Sequence, residues 1–137
     1  MSSRLRVALI EDEPSLVALY SVGLQTIGEV EAALNKGDAE VLLQRYIDQK
    51  IKPDVILLDL IIPASPNTSV NFIDRPGFEL LRWIRQNDWL KTVPIIVMTN
   101  LDSTDDRLMA EELGANDYLI KSNVVPSEIV RRIRAIL

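Results

Sequence analysis

The sequence contains no cysteine and no histidine. Those two absences exclude disulfides, thiolate nucleophiles, Cys/His zinc sites, Ser-His-Asp triads and phosphohistidine. A cation bound here has to be a hard one held by oxygen, such as Mg²⁺ or Ca²⁺. Long apolar runs are absent too. Stretches such as Val55 to Leu58 fall far short of a membrane span, and no long apolar run follows Met1-Ser2-Ser3-Arg4 as a signal peptide requires. The expectation is a soluble, cytoplasmic chain with no membrane partner. Basic surplus is likewise missing: 20 acidic against 15 basic side chains give a net charge of −5. That balance argues against broad, non-specific nucleic-acid binding. What is present is ordinary globular composition, 47% hydrophobic and 26% charged over 137 residues. One domain with its own core is expected.

Short β-rich runs alternate with amphipathic stretches along the chain. Residues 5–10 read as a buried strand closed by Glu11-Asp12-Glu13 and Pro14. A helix follows from Pro14, with Leu16, Tyr20, Leu24 and Ile27 on one apolar stripe and Gly28 as its stop. A weak strand at 29–33 precedes a helix that Asp38 is placed to cap. Residues 54–59 form the clearest strand, followed by an irregular stretch up to Pro76 and a helix from near Gly77. Strand 94–98, a helix capped by Ser103 with Asp106 and stopped by Gly114, strand 117–120 and a helix from near Pro126 complete the pattern. Five strands alternating with five helices predict an α/β, doubly wound parallel sheet with helices on both faces.

In such sheets ligands bind outside the carboxyl ends of the strands. Those ends carry Glu11-Asp12, Asp59, Thr99 and Lys121, so four strands deliver three carboxylates, a hydroxyl and an ammonium to one rim. Two carboxylates about 4 Å apart repel by roughly 4 kcal/mol at an effective dielectric of 20. Protonation or a cation relieves that repulsion. With three acids and one lysine, a divalent metal is the simpler relief, and Mg²⁺ suits carboxylates plus a phosphate oxygen. Such a metal and a lysine would let one carboxylate accept a phosphoryl group. Taken singly, each residue has a plainer reading: the acidic triplet as a favourable helix start, Asp59 as a turn acid, Thr99 as a cap, Lys121 as a solvated lysine. Their joint placement favours chemistry.

The segments Ile10-Glu11-Asp12-Glu13-Pro14, Pro53 to Leu60, Pro94 to Thr99 and Gly114 to Lys121 together resemble the receiver domain of two-component response regulators, over nearly the whole chain. The resemblance implies a flavodoxin-like sheet of order 2-1-3-4-5. It implies Asp59 as phosphoacceptor and Mg²⁺ bound by Asp12, Asp59 and the carbonyl of Ile61, with Glu11 helping through water. Lys121 would pair with the phosphoryl group, Thr99 would hydrogen-bond it, and Tyr118 would be the switch aromatic that swings inward as Thr99 moves. The implied donor is a histidine kinase or histidine phosphotransfer protein, and the output is a downstream protein met through the face of helix 4, strand 5 and helix 5, without direct nucleic-acid contact. A domain of this kind is a phosphoacceptor rather than an enzyme.

The chain departs from the family pattern in three places. About ten extra residues, within 64–76, separate Asp59 from Gly77, Ser122 follows Lys121 where proline is usual, and Asn100 follows Thr99 where a small residue is typical. The whole of 1–137 is expected to be one receiver domain carrying that loop, either stand-alone or part of a longer regulator. The alternative is a receiver-like interaction module that is never phosphorylated, against which the intact Asp12, Asp59, Thr99 and Lys121 set argues. A haloacid-dehalogenase-type phosphohydrolase would need a second Asp two residues after its nucleophile, where Ile61 stands. A flavodoxin-type FMN site is incompatible with Glu11-Asp12-Glu13. Trp83 and Trp89 read as packing aromatics.

Overall fold

The computed structural model describes residues 4–69 and 75–137. The described residues form strands β1 (Leu5–Ile10), β2 (Gly28–Ala33), β3 (Val55–Leu58), β4 (Ile95–Thr99) and β5 (Asp117–Ile120). All pair in parallel in the order β2-β1-β3-β4-β5, as expected. Helices α1 (Pro14–Gly23), α2 (Lys36–Asp48), α3 (Pro76–Gln86), α4 (Thr104–Glu112) and α5 (Pro126–Ile136) connect or follow them, and a 3-10 turn spans Lys121–Asn123.

The period of two along each strand splits the core into two layers. Ala8, Ile10, Ile56, Leu58, Ile95 and Val97 face one side, under Leu43 and Tyr46 of α2, Leu81 and Ile84 of α3 and Ala110 of α4. Val7, Leu9, Val55, Leu57, Ile96 and Met98 face the other, under Leu24 and the helices α1 and α5 through Tyr20, Ile129 and Ile133. Both faces being covered explains why β1, β3 and β4 are nearly continuous apolar runs. Burying each such side chain stabilises by roughly 1.5–3 kcal/mol.

Two expectations about element ends are corrected. Helix α1 stops at Gly23 rather than Gly28; Leu24 to Ile27 form a tight turn, with Ile27 N–H donating to Leu24 O at 3.0 Å, and Gly28 opens β2. The cap of α2 is Asn35, not Asp38. Asn35 Oδ1 accepts from Asp38 N–H at 2.8 Å while its own amide donates to Asp38 Oδ2 at 2.9 Å, a reciprocal pairing at the helix start. Ser103 does cap α4, and Gly114, at φ 107°, ends it in the conformation glycine adopts freely.

The expected 64–76 loop falls partly on residues 70–74, which lie outside the described residues. Both flanks are anchored. Lys36 N–H and Gly37 N–H donate to Pro63 O and Ala64 O at 2.9 Å. At the other flank Gly77 lies so close to β3 that a Cβ there would meet the Leu60 backbone at 2.4 Å. No helix among the described residues is long and apolar enough to cross a membrane.

Candidate functional site

The chain turns from β2 back to β3 on the far side of β1, so the crevice at the carboxyl ends of β1 and β3 is the topological switch point. Ladder bonds carry the acids into it: Glu11 N–H donates to Ala33 O and Asp59 N–H to Ile10 O, both at 3.0 Å. Glu11 and Asp59 are nearly inaccessible, at 1% and 4% exposure. Lys121 Nζ sits between them, 2.7 Å from Glu11 Oε1 and 2.6 Å from Asp59 Oδ2. Asp59 Oδ1 accepts from Ile61 N–H at 2.9 Å, and Glu11 Oε2 from Glu13 N–H at 3.2 Å. The rim opens into a cavity of about 380 Å³ lined by Asp12, Tyr20, Asp59, Ile61, Asn100 and Lys121, among others.

The electrostatics are unresolved by the protein alone. Burial pushes the Glu11 carboxyl up to about 7, with Asp59 adding to that push and the Lys121 ammonium opposing it. Burial also raises Asp59, against the pull of Lys121 and the Ile61 N–H. Burial disfavours the charged Lys121, yet its bonds to Asp59 and Glu11 prevail and hold it above the usual lysine range. Glu11, Asp12 and Asp59 each place a carboxylate oxygen within 4.8 Å of the others. An all-oxygen set of three acids sharing one ammonium fits a hard divalent cation.

Of the residues singled out from sequence, the structure brings Glu11, Asp12, Asp59, Ile61, Thr99 and Lys121 to this one rim. Thr99 is fully buried, and its hydroxyl helps lower the Asp59 carboxyl. Tyr118 is buried at 6% exposure, its ring under the Arg107 guanidinium. It is tied to Thr99 through a single residue: Leu101 N–H donates to Thr99 Oγ1 at 3.3 Å, and the Tyr118 hydroxyl donates to Leu101 O at 2.6 Å. The two family departures at the rim also meet, since Ser122 N–H donates to Asn100 Oδ1 at 3.0 Å, a bond that proline at 122 could not make. Sequence reasoning missed Tyr20, which the apolar stripe of α1 absorbed. Its spacing from Leu16, four residues and one turn, was the available signal, because both line the cavity.

Comparison with known proteins agrees with this fold. The family model for the response regulator receiver domain matches residues 7–134. The chain is 31% identical over 133 residues to the phosphate regulon transcriptional regulatory protein PhoB of Rhizobium meliloti, covering 96% of this chain and 52% of that protein. It is 34% identical over 132 residues to the transcriptional regulatory protein BaeR of Escherichia coli, covering 96% and 48%. The chain thus spans about half the length of the curated relatives it matches. Among solved structures, the BeF3-activated N-terminal receiver domain of Klebsiella pneumoniae RstA superposes with a TM-score of 0.74 at 27% identity, over 95% of this chain and 96% of that one. The Mn(2+)-bound form of response regulator Rcp1 gives 0.72 at 28%, over 96% and 91%.

Proposed function

The chain belongs to the response regulator receiver domain family, the phosphorylation-dependent switches of two-component signalling, and from that premise we propose that Asp59 is its phosphoacceptor. The observation that carries the proposal is the Asp59 carboxylate itself, buried at the floor of an open cavity and held between the Lys121 ammonium and the Ile61 N–H. A phosphohistidine on a histidine kinase or histidine phosphotransfer protein is the donor. One Asp59 oxygen attacks phosphorus, the P–N bond breaks as the P–O bond forms, and the imidazole leaves on the partner. None of these 137 residues is a histidine, so the donor histidine lies outside them.

Asp12, Asp59 and the Ile61 carbonyl, with Glu11 through water, would hold Mg²⁺. The ion supplies positive charge where the phosphoryl oxygens gather. Lys121 leaves Glu11 and Asp59 to pair with the new oxygens, which offer it more negative charge than the carboxylate it had. Thr99 turns its hydroxyl to the same group. Because Leu101 joins Thr99 to Tyr118, that turn reaches the surface of α4, β5 and α5, where Leu108, Met109 and Val125 are exposed and a downstream protein would dock.

Incubation with Mg²⁺ and acetyl phosphate, followed by intact mass measurement, tests the assignment. One added phosphoryl group, absent in Asp59→Asn, is expected. No gain from any donor, with no Mg²⁺-dependent beryllofluoride binding, would instead identify a receiver-like module that works unphosphorylated.

A further inference from the structure

Tyr20 stands on α1 in the wall of the acidic cavity, beside Asp12, Asp59 and Lys121. The phosphoryl chemistry described above gives it no task. Its side chain is 3% exposed, and its ring belongs to the apolar layer of Leu9, Leu24 and Ile129. Phenylalanine would pack there equally well. Buried tyrosine hydroxyls ordinarily find a partner, because an unpaired one loses its water without compensation. Among the described residues the Tyr20 hydroxyl has none. No fully enclosed side-chain polar atom among them lacks a hydrogen bond, so this oxygen must retain access to open space, and the space its side chain borders is the cavity. Burial, the largest influence, disfavours its ionised form so that the proton stays on, and the charges of Lys121, Glu11, Asp59 and Glu13 all reach it. An O–H donor with no partner among the described residues therefore borders the cavity that holds Asp59 and Lys121.

We propose that the Tyr20 hydroxyl is a positioning group of the phosphoryl site: it donates a hydrogen bond to an oxygen of the tetrahedral group carried by Asp59, directly or through one water. The inference rests on Asp59 being the phosphoacceptor and adds a donor to that site from a third direction. Lys121 approaches from the 3-10 turn after β5, Thr99 from β4 and Tyr20 from α1. The donor is kept idle until the ligand arrives, which makes it selective for the loaded state.

Titration calorimetry on the full chain with Mg²⁺ alone, then Mg²⁺ with beryllofluoride as the phosphoryl mimic, tests the idea in wild type, Tyr20→Phe and Tyr20→Leu. Tyr20→Phe should bind beryllofluoride about tenfold more weakly, the usual scale for one hydrogen bond to a charged group. Its Mg²⁺ affinity and thermal midpoint should match wild type. Tyr20→Leu should lose thermal stability through its smaller side chain but bind the mimic no worse than Tyr20→Phe. Equal beryllofluoride affinity in wild type and Tyr20→Phe overturns the role of the hydroxyl and leaves the phosphoacceptor assignment standing. Failure of wild type to bind the mimic overturns both. A Tyr20→Phe loss accompanied by an equal loss of Mg²⁺ affinity or a lowered thermal midpoint would make Tyr20 a packing residue and overturn the proposal as well.

Discussion

The two ends of the sheet each hold a partly buried cation, and they hold it in opposite ways. At the amino end, Arg85 of α3 donates to Gly114 O at 2.9 Å, Lys91 O at 3.1 Å, Val93 O at 2.7 Å and Asn116 Oδ1 at 2.9 Å. Each acceptor is neutral. Burial lowers the Arg85 guanidinium somewhat, but these four bonds hold it and tie together the loops entering β4 and β5. At the carboxyl end, Lys121 is held by two acids that repel each other and that burial drives toward protonation. The amino end is finished as built. The carboxyl end keeps a surplus of negative charge that only an incoming cation, proton or rearrangement can settle. Stability and switching are thus separated by the length of a short strand.

Breaking the amino end should have the largest effect. Arg85→Met strips the donor from four carbonyl groups and should cost about 3 kcal/mol in urea unfolding, while Mg²⁺ affinity at the far rim stays within twofold. An Mg²⁺ affinity that collapses along with stability would show that the two ends are one cooperative unit.

The next effect is a pH slope peculiar to the carboxyl end. Glu11 is raised in the folded state, so its stabilising contribution is complete below its unfolded value near 4.5 and is lost as pH rises through about 7. In EDTA, the stability difference between wild type and Glu11→Gln should therefore shift by about 2–3 kcal/mol against wild type between pH 4.5 and 7. Asp59 is raised as well and works in the same direction. Mg²⁺ should remove most of the slope. A flat difference across that window would mean that the acids at this rim are not in conflict.

The smallest effect concerns the rim itself. Ser122→Pro deletes the N–H that reaches Asn100, and Asn100→Ala deletes its acceptor, so each should cost no more than about 1 kcal/mol. The two together should cost little more than either alone, because they remove one shared bond. Additive losses in a double-mutant cycle would show that the bond contributes nothing.

The same contrast explains what could be read from the amino-acid order. The carboxyl rim was legible because apolar runs end in chemistry: Val55 to Leu58 deliver Asp59, and Ile95 to Met98 deliver Thr99. Both layers follow from the alternation of such runs with amphipathic helices, whereas the strand order came with the resemblance to the receiver family. The amino end was not legible, since Arg85 reaches acceptors 29 and 31 residues away that no local period announces. Helix ends failed for a related reason. Leu24 and Ile27 keep the helical spacing of α1 although the chain has already turned, and Asn35 and Asp38 are both good caps that only the backbone distinguishes. Tyr20 was hidden by its own amphipathic nature, since an aromatic on an apolar stripe gives no sign of which end of the ring meets water.

The close seat of Gly77 on Leu60 has one more consequence. The chain leaves β3 through Leu60, is pinned at Ala64, and comes back at Gly77 to touch Leu60 again. Both ends of the excursion are therefore fixed independently of its content, and lengthening it costs only about 0.6 kcal/mol per doubling in closure entropy. The fold provides an expansion slot between these two anchors: segments can be lengthened or exchanged there without re-registering β3.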